Sequence, residues 1–258
     1  MSQSTQPHFC PVGDRRRPVT ILFDLDGTLM DHATASRGAL GELYLAHAGR
    51  IRRDEADFRA AWSQASSAHF SQYEHGKLTY AQQGRLRIRA AFGDERIDND
   101  DADRLFADFV EAYESRWSLF PDALPCLELL RGRPLGIVTN GNPQQQRRKL
   151  RTLGLREHFK EVLISSEFGA AKPAPGIFLE ASRRLWAIPG ECIVVGDSWE
   201  HDVQGALRAG MQPVWLDRSG KGSRHGVPSV RSLAELRGLV DGWQVAKPEE
   251  DPALDRAA

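Results

Sequence analysis

The stretch Val19-Thr20-Ile21-Leu22-Phe23-Asp24-Leu25-Asp26-Gly27-Thr28 decides the fold. Its apolar and β-branched residues run without strict alternation, which suits a strand buried on both faces, as in a parallel sheet. The run stops at Asp24. Residues two apart in an extended chain point the same way, so Asp24 and Asp26 would project together from the strand's carboxyl end. Gly27 then permits a tight exit.

Runs of the same kind recur at residues 135–139, 161–165, 192–197 and 213–217. Helical apolar spacing occupies residues 143–153, 175–186 and 200–209, with Gly154 and Gly210 as stop signals. Strand alternating with helix predicts an α/β fold with right-handed crossovers and a doubly wound parallel sheet. One interval breaks the rhythm. Residues 31–118 show no convincing strand, only amphipathic stretches at 34–47, 55–70, 80–92 and 101–117. That is too long for a loop, so a separate all-helical domain is expected there. Ligand sites of open parallel sheets lie off the carboxyl ends of the strands, so this insertion would sit over the site as a lid.

The rest of the chain bounds the problem. Its 258 residues carry 34 Lys and Arg against 35 Asp and Glu, a net charge of −1. Near-neutrality argues against a nucleic-acid polymer or a membrane surface held by bulk charge. Cys10, Cys126 and Cys192 are scattered and odd in number, so no disulfide framework or paired-cysteine zinc site is expected. No apolar run approaches the roughly 18–20 residues of a membrane span, and the polar start lacks a signal-peptide core. A cytoplasmic location is the expectation. Residues 1–18, with Arg15-Arg16-Arg17, and residues 246–258 read as flexible tails. The catalytic core is then expected over residues 19–30 and 119–245.

The other strand ends complement the first. The second ends Val138-Thr139-Asn140-Gly141, offering a hydroxyl and backbone N–H groups suited to an anion. Lys172 stands in Ala171-Lys172-Pro173-Ala174-Pro175, where flanking prolines fix its position, although loop lysines are ordinarily just solvated. The fourth strand ends Gly196-Asp197-Ser198, with Asp202 opening the next helix. Helix capping would explain those two aspartates equally well. Together, however, three or four carboxylates at one sheet edge require a cation, and a small set of hard oxygen ligands suits Mg²⁺. A metal beside a lysine would create a site for a dianionic phosphoryl group.

With these residues in view, the sequence resembles the phosphatases of the haloacid dehalogenase-like hydrolase superfamily. The segment from Asp24 to Thr28 resembles that superfamily's first motif, Thr139 its second, Lys172 its third, and Gly196-Asp197-Ser198 with Asp202 its fourth. The resemblance implies a Rossmann-like core with a helical cap placed after the first motif. It implies Asp24 as nucleophile, forming an aspartyl-phosphate, and Asp26 as general acid and then base. Mg²⁺ would be held by Asp24, the Asp26 backbone carbonyl and Asp197. Thr139 and the Asn140 region would bind phosphoryl oxygens together with Lys172, with Thr28, Ser198 and Asp202 in support. The substrate would be a small phosphorylated metabolite. In the cap, the stretch from His69 to Lys77, with Phe70, Tyr73 and Lys77, resembles that of nucleotidase-type and acylneuraminate-phosphate phosphatases.

Asp98-Asn99-Asp100-Asp101 looks calcium-like, but Asp103 and Phe109 stand where Gly and Glu are needed, so a helix-starting turn is expected. The segment from Ser219 to Ser223 lacks the context of a phosphate-binding P-loop. The basic run Arg147-Arg148-Lys149 with Arg151 reads as a solvated helix face. Trp199 and His201 either line the entrance or pack. A haloacid dehalogenase would lack the second aspartate, so Asp26 argues against it. A sugar-phosphate mutase of the same superfamily uses both aspartates, and a non-catalytic phospho-ligand module is the remaining alternative.

Overall fold

A computed structural model describes residues 19–220, 222 and 226–242 of the chain; the expectations for residues 1–18 and 246–258 lie outside them. Strand β1 (Thr20–Phe23) leads into four helices, α1 (His32–His47), α2 (Glu55–Glu74), α3 (Tyr80–Phe92) and α4 (Asn99–Glu114). Then follow α5 (Ala123–Leu129), β2 (Leu135–Thr139), α6 (Pro143–Thr152), β3 (Glu161–Ile164), α7 (Ser165–Phe168) and α8 (Pro175–Arg184). The chain closes with β4 (Cys192–Gly196), a π-helical turn at Trp199–Val203, α9 (Gln204–Arg208), β5 (Gln212–Leu216), β6 (Ser229–Val230) and α10 (Leu236–Asp241).

The strands form one parallel sheet in the order β3-β2-β1-β4-β5-β6. Every residue of β1, β2 and β4 is buried, as continuous apolar runs require. Strand order reverses between β1 and β4, where Phe23 pairs with Val195. A crevice opens at such a reversal, and the residues that follow β1, β2 and β4 meet there. The expected fold class therefore holds; β6 is an addition, two residues being too short to show an apolar run.

Helices α1 and α4 pack together, as do α2 and α3. Each starts where a side chain satisfies the free N–H groups of its first turn: Asp31, Asp54, Thr79 and Asp98. Asp98 accepts from Asp101 N at 2.8 Å, so the calcium-like run is a helix start, and α4 begins two residues before the expected position. Helix α2 runs four residues beyond its expected end, to Glu74. Its buried face holds Phe58 and Trp62, and one apolar cluster runs from Ile21 and Phe23 on the sheet into Phe58 and Phe92 of this insertion.

Candidate active site

Asp24 ends β1 with its backbone N–H tied to Val195 O at 2.9 Å. Gly27 follows at φ +91°, and a Cβ there would lie 2.5 Å from an Asp197 carboxylate oxygen. Only glycine lets the first turn approach the fourth strand end that closely. Thr28, fully buried, spans the gap. Its Oγ1 accepts from Asp197 N at 3.1 Å and lies 3.3 Å from Asp197 Oδ1.

Lys172 is 4% exposed, and its Nζ donates to Asp24 Oδ1 and to Asp202 Oδ1, each at 2.6 Å. Burial opposes its charge, but Asp202 and Asp24 outweigh burial and raise the ammonium above the ordinary lysine value. A two-point clamp holds its backbone: Lys172 N donates to Asn140 Oδ1 at 2.9 Å, and Asn140 Nδ2 donates to Lys172 O at 3.1 Å. Asn140's side chain thus positions the lysine. Asp202 reaches this point because the turn after β4 is π-helical, with Asp202 N and Val203 N both donating to Ser198 O. Asp202 Oδ2 also accepts from Ser198 N at 3.0 Å. The sequence places Asp202 in an ordinary helix, whereas the wider turn points it back to the lysine.

Burial is the main influence on Asp24 and pushes its carboxyl up to about 8. Lys172 pulls it down, while Asp202 and Asp197 add to the rise. Asp197 is pushed up to about 6, first by desolvation of its carboxyl among its neighbours and then by the charge of Asp202. Oxygens of Asp24, Asp197 and Asp202 lie within 4.8 Å of one another. One ammonium does not balance them. Hard oxygen donors short of positive charge fit a Mg²⁺ ion, with Asp202 already committed to Lys172 and Ser198.

Asp26 behaves differently. Lys149 Nζ lies 2.7 Å from both of its oxygens, and Gln146 Nε2 donates to Asp26 Oδ2 at 2.9 Å. Burial would raise the Asp26 carboxyl; Lys149, His32 and these hydrogen bonds outweigh it and hold the group below the ordinary carboxylate value. Gln146 also donates to Thr139 Oγ1 at 2.7 Å, tying the second strand end to the first.

The expectation of a solvated basic face is therefore corrected at Lys149, which is 2% exposed. Arg147 and Arg148 lie outward and pair with Glu167 and Glu114. The missed signal was periodicity. Gln146, Lys149, Leu150 and Leu153 follow i, i+3, i+4, i+7, the inward face of α6, so a lysine there needs a buried anion.

The end of α2 closes over this edge. Tyr73 Oη lies 2.9 Å from Ser166 Oγ, and the Tyr73 ring meets Phe70 at a tilt and Tyr80 edge-on, with ring centroids 5.7 and 5.8 Å apart. Lys77 is exposed. Glu74, which the sequence reading did not single out, is pushed up to about 7 by burial, against its bond to Asn140 and the charge of Lys172. Trp199 packs edge-on against Trp215 at 5.4 Å.

Comparison with known proteins places this geometry. The haloacid dehalogenase-like hydrolase family matches residues 19–210. A glyceraldehyde 3-phosphate phosphatase of Methanopyrus kandleri is 43% identical over 129 residues, 48% of this chain. The chain spans only 55% of that relative's length. A phosphoserine phosphatase of Thermus thermophilus is 34% identical over 77% of this chain and 88% of its own length. Among solved structures, a Bacillus subtilis hydrolase of the same family bound to magnesium superposes with a TM-score of 0.72 at 26% identity. That match covers 88% of this chain and all of the other. The chain belongs to the haloacid dehalogenase-like hydrolase family and falls among its phosphoric monoester hydrolases.

Proposed function

We propose that the protein hydrolyses a small-molecule phosphate monoester with Mg²⁺, through a covalent phosphate on Asp24. The observation that carries this reading is Lys172 bonded at 2.6 Å to both Asp24 and Asp202, beside Asp197, where strand order reverses. Asp24, the Asp26 carbonyl and Asp197 would hold the Mg²⁺, which supplies positive charge for the crowded carboxylates and the phosphoryl oxygens.

With that charge balanced, Asp24 is a carboxylate and attacks phosphorus while the ester oxygen leaves. Lys172 Nζ keeps the Asp24 side chain aimed and neutralises charge on the transferring group. Asp26, two residues on and held by Lys149 and Gln146, would supply the proton needed on the departing oxygen. Without ligands the two carboxyls are poised the other way, Asp24 pushed up and Asp26 held down. A cation beside Asp24 and a phosphoryl dianion beside Asp26 each reverse that order. Once the alcohol has left, Asp26 is ionised, paired with Lys149, and ready to take a proton from the hydrolytic water. Thr139 Oγ1 and the Asn140 backbone N–H would bind the phosphoryl oxygens, since Gly141 N is already given to Ser165 Oγ. Helices α1 to α4 act as a cap that excludes water and reads the alcohol.

Buried free thiols at Cys126 and Cys192 support a reducing, cytoplasmic setting. No helix among the described residues is long and apolar enough to cross a membrane. The test is release of free phosphate from a panel of sugar phosphates, nucleotides and phosphorylated acids. Activity should appear with Mg²⁺, vanish on chelation and return on resupply. Full turnover in excess chelator would refute the metal's role, and an isomerised phosphate ester in place of free phosphate would indicate a mutase.

A further inference from the structure

The insertion contains a guanidinium that has no ion-pair partner among the described residues. Arg87 on α3 is covered by aromatic faces, its Cζ 4.3 Å from the Trp62 ring centre and 5.6 Å from those of Phe106 and Phe109. Burial pulls it down to about 10, so it is still a cation at neutral pH. Its Nη1 donates to Gln83 Oε1 at 3.1 Å, and among the described residues it makes no ion pair. Its Nε is buried with no partner. The neighbouring Arg85 shows what the free edge can do: there Nε and Nη2 grip Asp103 at 2.7 and 2.6 Å.

Arg87 opens into a cavity of about 350 Å³ that is lined also by Arg37, Arg59, His32, Trp62 and Ser66, and by no acidic residue. Ser66 Oγ, like Arg87 Nε, is buried without a partner. Arg59 is satisfied by Glu55 and by Arg37 O. The cavity therefore carries excess positive charge, with two unused donors buried in its wall, an arrangement that is costly unless an anion completes it.

The cavity also touches the catalytic edge. His32 Nδ1 lies 2.7 Å from Tyr113 Oη, and the Tyr113 ring lies 5.4 Å from Lys149 Nζ, which grips Asp26. Arg87 lies within electrostatic reach of Tyr80 and Tyr113, and Tyr80 is hydrogen-bonded to Gln145 at the start of α6. His32, on the wall of the cavity, is also within electrostatic reach of Asp26.

We propose that Arg87, with Ser66, forms a subsite for a carboxylate on the leaving group, so that the substrates are phosphorylated hydroxy acids. The claim rests on the phosphatase reading above. A planar two-oxygen anion suits the Nε–Nη2 edge of a guanidinium, as Asp103 does at Arg85.

The experiment compares substrates that differ only by a carboxylate: O-phosphoserine against O-phosphoethanolamine, and 3-phosphoglycerate against glycerol 3-phosphate, with p-nitrophenyl phosphate as reference. The wild-type enzyme should prefer the carboxylate member of each pair by roughly tenfold or more in kcat/KM, because a buried donor left unpaired penalises its analogue. Arg87→Gln should collapse that ratio toward unity, mainly through KM. Arg87→Lys, which keeps charge but loses the fork, should restore part of it. Ser66→Ala should lower it about threefold. A purely structural role for Arg87 would lower both members together and leave the ratio unchanged, overturning the proposal. Equal turnover of both members by the wild type would overturn it even if no variant folds. Failure to hydrolyse p-nitrophenyl phosphate or any ester would instead overturn the phosphatase reading.

Discussion

The sheet edge and the roof above it treat charge in opposite ways. At the edge, Lys172 answers Asp24 and Asp202, and Lys149 answers Asp26, each within 2.7 Å and almost wholly buried. In the helical insertion, Arg87 is half-buried and, among the described residues, meets aromatic faces and one amide oxygen but no carboxylate. On the proposed reading, the paired charges serve a reaction common to every substrate, and the unpaired one serves the part of the substrate that varies.

The largest effect should come from breaking the edge. Lys172→Met leaves two buried carboxylates uncompensated, so stability should fall by about 3–5 kcal/mol. Phosphatase turnover should fall at least roughly a thousandfold, since positioning and charge neutralisation are lost together. Thermal unfolding and phosphate release at saturating Mg²⁺ check both. Retention of normal stability would show that the lysine is not a structural counter-charge.

Lys149→Met should cost less, about tenfold to a hundredfold in kcat. Lys149 holds Asp26 below the ordinary carboxyl value, so its removal moves Asp26 upward. The limb of the pH–rate profile that reports Asp26 should then shift to higher pH. A profile lowered uniformly, with its limbs in place, would mean that Lys149 only supports the fold.

The smallest effect belongs to the contact between roof and edge. Tyr73→Phe removes one partly exposed hydrogen bond to Ser166 and should change kcat/KM by about threefold. A loss as large as that of Lys149→Met would make closure of the roof, rather than chemistry, the step that limits turnover.

The sequence showed the edge more fully than the roof, for a physical reason. Thr139 ends an apolar strand and Asp24 and Asp197 stand directly after theirs, so their neighbours announce the sheet edge. Lys149 was hidden because it lies among Arg147, Arg148 and Arg151, and composition drowned the i, i+3, i+4 pattern that turns it inward. Asp202 was seen, but its reach to Lys172 depends on a π-helical turn that residue types do not announce. Arg87 could not be found from spacing, because its isolation depends on Trp62 and Phe106 arriving from other helices. Boundaries erred where caps decided them, as at Asp98.

The central claim is that Asp24 becomes phosphorylated. The direct measurement is a rapid acid quench during turnover of O-phosphoserine or p-nitrophenyl phosphate with Mg²⁺, followed by peptide mapping. The account predicts a transient phosphopeptide whose label lies on Asp24 and is absent from Asp24→Asn, which should also be inactive while still folded. Phosphate release with no labelled peptide, or a label on Asp26 or another residue, would contradict it.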